Sequence, residues 1–299
     1  MKKYFPALAV IFAAVLWSLD GFLRQELYSL PAIAIVTLEH LIGALVLLPF
    51  LFRGAQQIRA LNQRGWVSVF WISIAGGLLG TFFYTKALSY VNYIDLSIVV
   101  LLQKFQPLFA IALAAVILKE PFTRRYLLLA LMAVVGGYFV TFGLQPITHA
   151  SDKTLIAALL ALLAAFSWGS STVLGKHALK RLTFPVVTAL RQTITAVIAL
   201  VVLTSLYPSW EIGSISTRQW MFLLIIVFST GSAALFIYYY GLNHLPASHT
   251  TLYELFWPLS AVALDYLVRH RPLSTAQLIG GVVLLTAIIL LPREQPDNA

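Results

Sequence analysis

The chain has 299 residues, 60% hydrophobic and only 10% charged, with a mean hydropathy of +0.87. A soluble domain carries about 25% charged residues, so this composition excludes a water-covered surface and indicates a polytopic membrane protein. The net charge of +9 sits in short loops, without a basic helix or an aromatic RNA-binding motif, which argues against nucleic acid; the lack of cysteine excludes disulfides, thiol catalysis and Cys-ligated metals.

A spanning helix needs about 20 mostly apolar residues. "MKKYFPALAVIFAAVLW" has a basic start but no convincing small-x-small cleavage site, so it reads as an uncleaved first helix over 5–23. The next predicted spans are 31–52, which opens at Pro31 and carries Glu39 and His40, then 66–88. Span 94–118 contains "LLQKFQPLFA", which places Gln103, Lys104, Gln106 and Pro107 inside an apolar run, and 126–143 follows. The Gly-, Pro- and Ser-containing stretch "GLQPITHASDK" at 143–153 reads as a linker.

Five further spans are predicted at 154–175, 184–207, 218–240, 247–268 and 274–292. Pro185 falls in the first turn of the seventh, where proline costs least, and Arg191 lies deeper in the same span. The ninth holds Tyr253, Glu254, Trp257 and Pro258. Twelve lysines and arginines fall on the side shared by both termini and six on the other. By the positive-inside rule both termini are cytoplasmic, in what reads as a bacterial inner membrane.

The chain repeats itself. A constant shift of 151 relates Trp17 to Trp168, Thr37 to Thr188, Gly80 to Gly231, Pro107 to Pro258 and Pro121 to Pro272. Each half holds five spans, and an odd number makes the second half enter the membrane in the opposite sense. The predicted fold is an all-α polytopic membrane protein of ten transmembrane helices in two five-helix inverted-topology repeats. The expected division is 1–143, a linker at 144–153, and 154–299.

The two halves, the "WG" of "AFSWGSSTVLGKHALKR" and the "LKEPFTRR" loop resemble the EamA family of the drug/metabolite transporter superfamily over essentially the full chain. "WSLD" stands where the first half would carry "WG", and Arg271 in "RHRP" replaces the family's acidic residue before the proline. The resemblance implies a ten-helix exporter of metabolites or amphiphilic compounds that works by alternating access.

Ionisable groups inside a bilayer are rare and face the protein interior. Here they are Glu39, His40, Lys104, Arg191 and Glu254, and each unpaired charge costs roughly 2.5–3.5 kcal/mol at a helix centre. The shift of 151 equates His40 with Arg191 and Gln103 with Glu254, so the second, fourth, seventh and ninth spans should line one cavity. The fifth and tenth should pack peripherally. Lys104 either pairs with Glu39 or Glu254 to lock helices together, or attracts an anionic group of the substrate beside Gln103 and Gln106. The second arrangement suits a zwitterion such as an amino acid; lipophilic or cationic drug-like compounds are the alternative.

Pro107 and Pro258, just after the polar positions, are candidate hinges. Tyr253 and Trp257 are candidate cavity residues, whereas Trp66, Trp71, Trp210 and Trp220 fit an interfacial belt. His40, Glu39 and Glu254 are candidate proton carriers. An intramembrane enzyme is disfavoured, since "HExxH" and "GxSxG" are absent, and without a Walker loop ATP does not drive the chain directly. No cofactor or metal is expected. The expected partners are a small-molecule substrate and membrane lipids, with protons as candidates and monomer or homodimer left open.

Overall fold

In lipid every backbone N–H and C=O must be satisfied within the chain, and these apolar runs meet that demand as helices. The computed structural model describes residues 4–90, 102–103, 105–144, 152–269 and 273–291, which contain helices and no strand. Seven helices are long and apolar enough to cross a membrane: Phe5–Gln25, Ala32–Arg53, Gln63–Tyr90, Arg124–Thr141, Leu155–Ala178, Phe184–Leu206 and Thr217–His244. Gln106–Leu118 and Thr275–Leu290 are shorter apolar helices.

Local chemistry sets the helix ends. The side chains of Asn62 and Thr123 accept the backbone N–H of Gly65 and Tyr126. Ser216 and Ser274 form capping boxes with Gln219 and Gln277. Thr123 and Ser274 are themselves related by the repeat shift of 151.

In chain order the helices are α1 (Phe5–Ser18), α2 (Asp20–Gln25), α3 (Ala32–Arg53), α4 (Ala55–Arg59), α5 (Gln63–Trp71) and α6 (Gly80–Tyr90). They continue as α7 (Gln106–Leu113), α8 (Arg124–Phe142), α9 (Asp152–Ala178), α10 (Phe184–Leu206) and α11 (Thr217–Phe228). The last four are α12 (Ser232–His244), α13 (Ala247–Tyr253), α14 (Phe256–Arg269) and α15 (Thr275–Leu290). The most extensive packing joins α3 to α10, α8 to α15, α6 to α9 and α1 to α12. The first two contacts pair a helix with its repeat equivalent; the other two are the same contact with the halves exchanged. The packing therefore has a two-fold pattern.

The helices depart from α geometry at matching places. Between α5 and α6 the chain is π-helical over Ile72–Leu79. In the second half, 151 residues on, α11 gives way to α12 through Ser229–Gly231, with Gly231 N–H donating to Ile226 O at 2.6 Å. Such widened turns gather at functional sites. The first ends just before Gly80, and the second ends at Gly231, its repeat equivalent.

The prolines stand at helix starts rather than inside helices. Pro107 is the second residue of α7, and Pro258 lies in the first turn of α14. There a missing N–H costs little, so each proline begins a helix rather than bending one. Glu254 and Leu255 lie in the break between α13 and α14.

α8 and α15 pack together as the expected peripheral pair. A Cβ on Gly136 would stand 2.7 Å from Leu284 N and 2.9 Å from Gly280 O. Only small residues let two backbones approach this closely.

Candidate functional site

The two halves enclose a cavity of about 170 Å³. Of the residues singled out in the sequence, Glu39, His40, Gln103, Gln106, Pro107, Arg191, Glu254 and Trp257 all line it. Lys104 lies outside the described residues. Tyr253 and Pro258 are not on the wall. Successive helical residues point about 100° apart, so Tyr253, next to Glu254, turns into the packed core at 1% exposure.

The acid in α3 has a partner that the sequence reading placed in a loop. Arg24 is 3% exposed and donates through Nε to Asp20 at 2.5 Å and through Nη2 to Glu39 at 2.9 Å. Thr230, in the break before Gly231, donates to the other oxygen of Asp20 at 2.7 Å. Asp20 and Arg24 both line the cavity. The chain folds this way because α1 stops at Ser18 and restarts as the short α2, whose i, i+4 pair is Asp20 and Arg24. Gly231 leaves room for this cluster, since a Cβ there would stand 2.9 Å from Glu39 Oε1.

Among the described residues, Glu254 is held by uncharged hydrogen-bond partners. Gln106 Nε2 donates to one carboxylate oxygen at 2.6 Å and the Tyr238 hydroxyl to the other at 2.7 Å. Tyr238 is itself 2.7 Å from Thr172 Oγ1. The Gln106 bond joins the halves at the breaks that precede α7 and follow α13.

Arg191 and His40, equated by the repeat, both reach the cavity. His40 Nδ1 bonds the Val36 carbonyl at 2.9 Å. Arg191 donates to Tyr239 OH at 3.2 Å and to Ser171 Oγ at 3.5 Å, with its guanidinium 5.8 Å from the Tyr239 ring centre. Its neighbour Gln192 donates through Nε2 to Ser232 Oγ at 2.9 Å.

Two aromatic pairs complete the walls. The ring of Trp17 lies 5.3 Å from that of Tyr238, and the ring of Trp168 lies 5.4 Å from that of Tyr84. All four line the cavity. The two tryptophans are repeat equivalents, and each packs on a tyrosine of the opposite half. Trp168 also donates to the carbonyl of Gly76 in the π-helical stretch at 3.0 Å.

Five cavity-lining polar atoms are buried without a hydrogen-bond partner among the described residues: Arg24 Nη1, Gln103 Oε1, Arg191 Nε, Gln192 Oε1 and Thr251 Oγ1. Most buried polar groups in a native protein are paired, so five such atoms around one cavity mark a place built to meet something. The arrangement offers flat aromatic faces, donors and acceptors, and carboxylates that are already engaged.

The sequence matches the model of the EamA-like transporter family twice, over residues 5–142 and 155–292. It is 38% identical over 291 residues to the riboflavin transporter ImpX of Fusobacterium nucleatum subsp. nucleatum, covering 96% of this chain and 97% of that protein. A protein solved by crystallography, 18% identical, aligns with a TM-score of 0.75 over 97% of this chain and 99% of its own. At that identity the likeness speaks for the fold alone.

Proposed function

The chain belongs to the EamA-like transporter family, a membrane transporter rather than an enzyme, and we propose that it carries riboflavin, or a flavin of the same shape, across the membrane. The observation that carries this reading is the pairing of aromatic faces with engaged charges in one cavity. A flavin is a flat, uncharged ring system with carbonyl and N–H groups on one edge and a polyhydroxylated tail. Trp17, Tyr238, Trp168 and Tyr84 offer faces for such rings, and a few placed polar groups suffice to orient a ligand. A zwitterionic amino acid fits less well. Glu39 already holds the Arg24 cation, and each oxygen of Glu254 already accepts a hydrogen bond, from Gln106 and from Tyr238, so an ammonium group would find one carboxylate neutralised and the other partly occupied. The relative's printed substrate points the same way.

In this reading the chain has ten spans, in two inverted halves over 1–143 and 154–299 joined by 144–153. Both termini face the cytoplasm of a bacterial cell. Alternating access moves one half against the other, with the breaks beside Pro107 and Pro258 as hinges. Gln103, Lys104, Gln106, Arg191 and Trp257 contact substrate, while Glu39 and His40 hold the opposite wall. The test is flux of labelled riboflavin and a panel of labelled amino acids in proteoliposomes, measured inward and outward. Saturable riboflavin flux supports the reading and its direction separates uptake from export. Amino acid flux without riboflavin flux overturns it.

A further inference from the structure

We propose that Arg191 and Gln192, adjacent on α10, form the subsite that reads the imide edge of the substrate ring: the run of carbonyl, N–H and carbonyl. The inference rests on the flavin reading above and deepens it. Arg191 and Gln192 are 8% and 2% exposed, and both line the cavity. Each keeps one buried polar atom unpaired among the described residues, Nε of Arg191 and Oε1 of Gln192. One is a fixed donor and the other a fixed acceptor.

Both side chains are held in place from behind. Tyr239 OH at 3.2 Å and Ser171 Oγ at 3.5 Å hold the guanidinium through Nη1. Ser232 Oγ takes the amide N–H of Gln192 at 2.9 Å, which leaves the carbonyl oxygen as the free end. A polar atom left unpaired in the interior is costly, and the cost is recovered when a ligand supplies the partner.

The fixed geometry distinguishes which part of a flavin belongs here. Hydroxyls of a flexible tail both donate and accept and turn to suit any neighbour, so they require no pre-set donor and acceptor. A rigid imide does require them. Its N–H needs an acceptor, which Gln192 Oε1 provides, and its carbonyl needs a donor, which Arg191 Nε provides. Among the described residues Arg191 has no carboxylate as a hydrogen-bond partner, and its positive charge favours a polarised carbonyl oxygen over an ammonium group.

The test is a binding cycle on purified protein in detergent, read by quenching of flavin fluorescence. Riboflavin and N3-methylriboflavin, which differ only at the imide N–H, are titrated into the unaltered protein and into Gln192→Leu. In the unaltered protein the methyl compound is expected to bind about tenfold more weakly or worse. In the Gln192→Leu variant riboflavin should weaken by a similar factor, with the preference between the two compounds gone. Equal affinity of the unaltered protein for both compounds overturns the imide subsite while leaving the flavin reading intact. A preference undiminished in the variant removes Gln192 from the role. No binding of riboflavin to the unaltered protein overturns the flavin reading itself and, with it, this inference.

Discussion

The side-chain amide of Gln106 meets the carboxylate of Glu254 at 2.6 Å, bonding the first half of the chain to the second. Both residues lie beside helix breaks, where rigid segments end. Glu254→Leu removes both acceptor oxygens, so Gln106 and Tyr238 each lose their partner on the carboxylate. Losing a buried hydrogen bond of this kind costs about 1–3 kcal/mol. Riboflavin flux in proteoliposomes should fall by about tenfold or more, with the protein still folded by size-exclusion chromatography. Flux at the unaltered level would separate this bond from transport.

Arg24 is a stricter case, because it serves two carboxylates at once. Arg24→Met leaves Asp20 and Glu39 facing each other without a cation, and removing one partner of a buried ion pair costs about 3–5 kcal/mol. A large drop in melting temperature in detergent is expected. The exposed pair of Arg218 with Glu26, whose side chains are 69% and 34% exposed, is the control. Arg218→Ala should change stability by less than about 1 kcal/mol.

Gly280→Val tests the peripheral pair of helices. Its Cβ would stand 2.7 Å from Phe139 Cβ and 2.8 Å from Val140 N, so α8 and α15 would be forced apart. The melting temperature should fall. Riboflavin affinity in the folded fraction should stay near that of the unaltered protein, because no residue of these two helices lines the cavity. A selective loss of affinity at unchanged stability would contradict that separation.

Trp168 has two functions that a pair of substitutions can divide. Trp168→Phe keeps an aromatic face but gives up the hydrogen bond to Gly76 O, whereas Trp168→Ala removes both. If stacking dominates, riboflavin affinity falls little in the first variant and steeply in the second. Equal losses in both would assign the role to the indole N–H and the π-helical stretch it holds.

Repeat-spaced features were the readable part of this chain. The shift that relates Trp17 to Trp168 depends only on matching residues, and those residues face one another's halves in the folded protein. The polar positions Glu39, His40, Gln103, Arg191 and Glu254 reach the cavity for a plain reason: a polar group deep in an apolar run has nowhere else to go. Asp20 and Arg24 were missed because charges near the end of a span look like loop residues. Only the break after Ser18, invisible to hydropathy, brings them inward. Glu39 was therefore read as one of two candidate partners for Lys104, and the cation that holds it among the described residues, Arg24, was not considered. Tyr253 shows the reverse error, since adjacency in sequence to Glu254 does not confer the same direction on a helix. Each proline was readable as a place of interruption, but not as the start of the next helix.

The exchanged packing of the two halves has a consequence for biosynthesis. α1 finds its main neighbour in α12, α3 in α10 and α8 in α15. Each emerges from the ribosome long before that neighbour exists. The early helices must therefore wait in the bilayer with their inner faces against lipid or an insertion partner. Folding proper begins only as the C-terminal half arrives. Truncation anywhere after the first half should leave a chain that inserts but does not mature, which makes the last helices the natural point at which a cell's quality control can judge the whole.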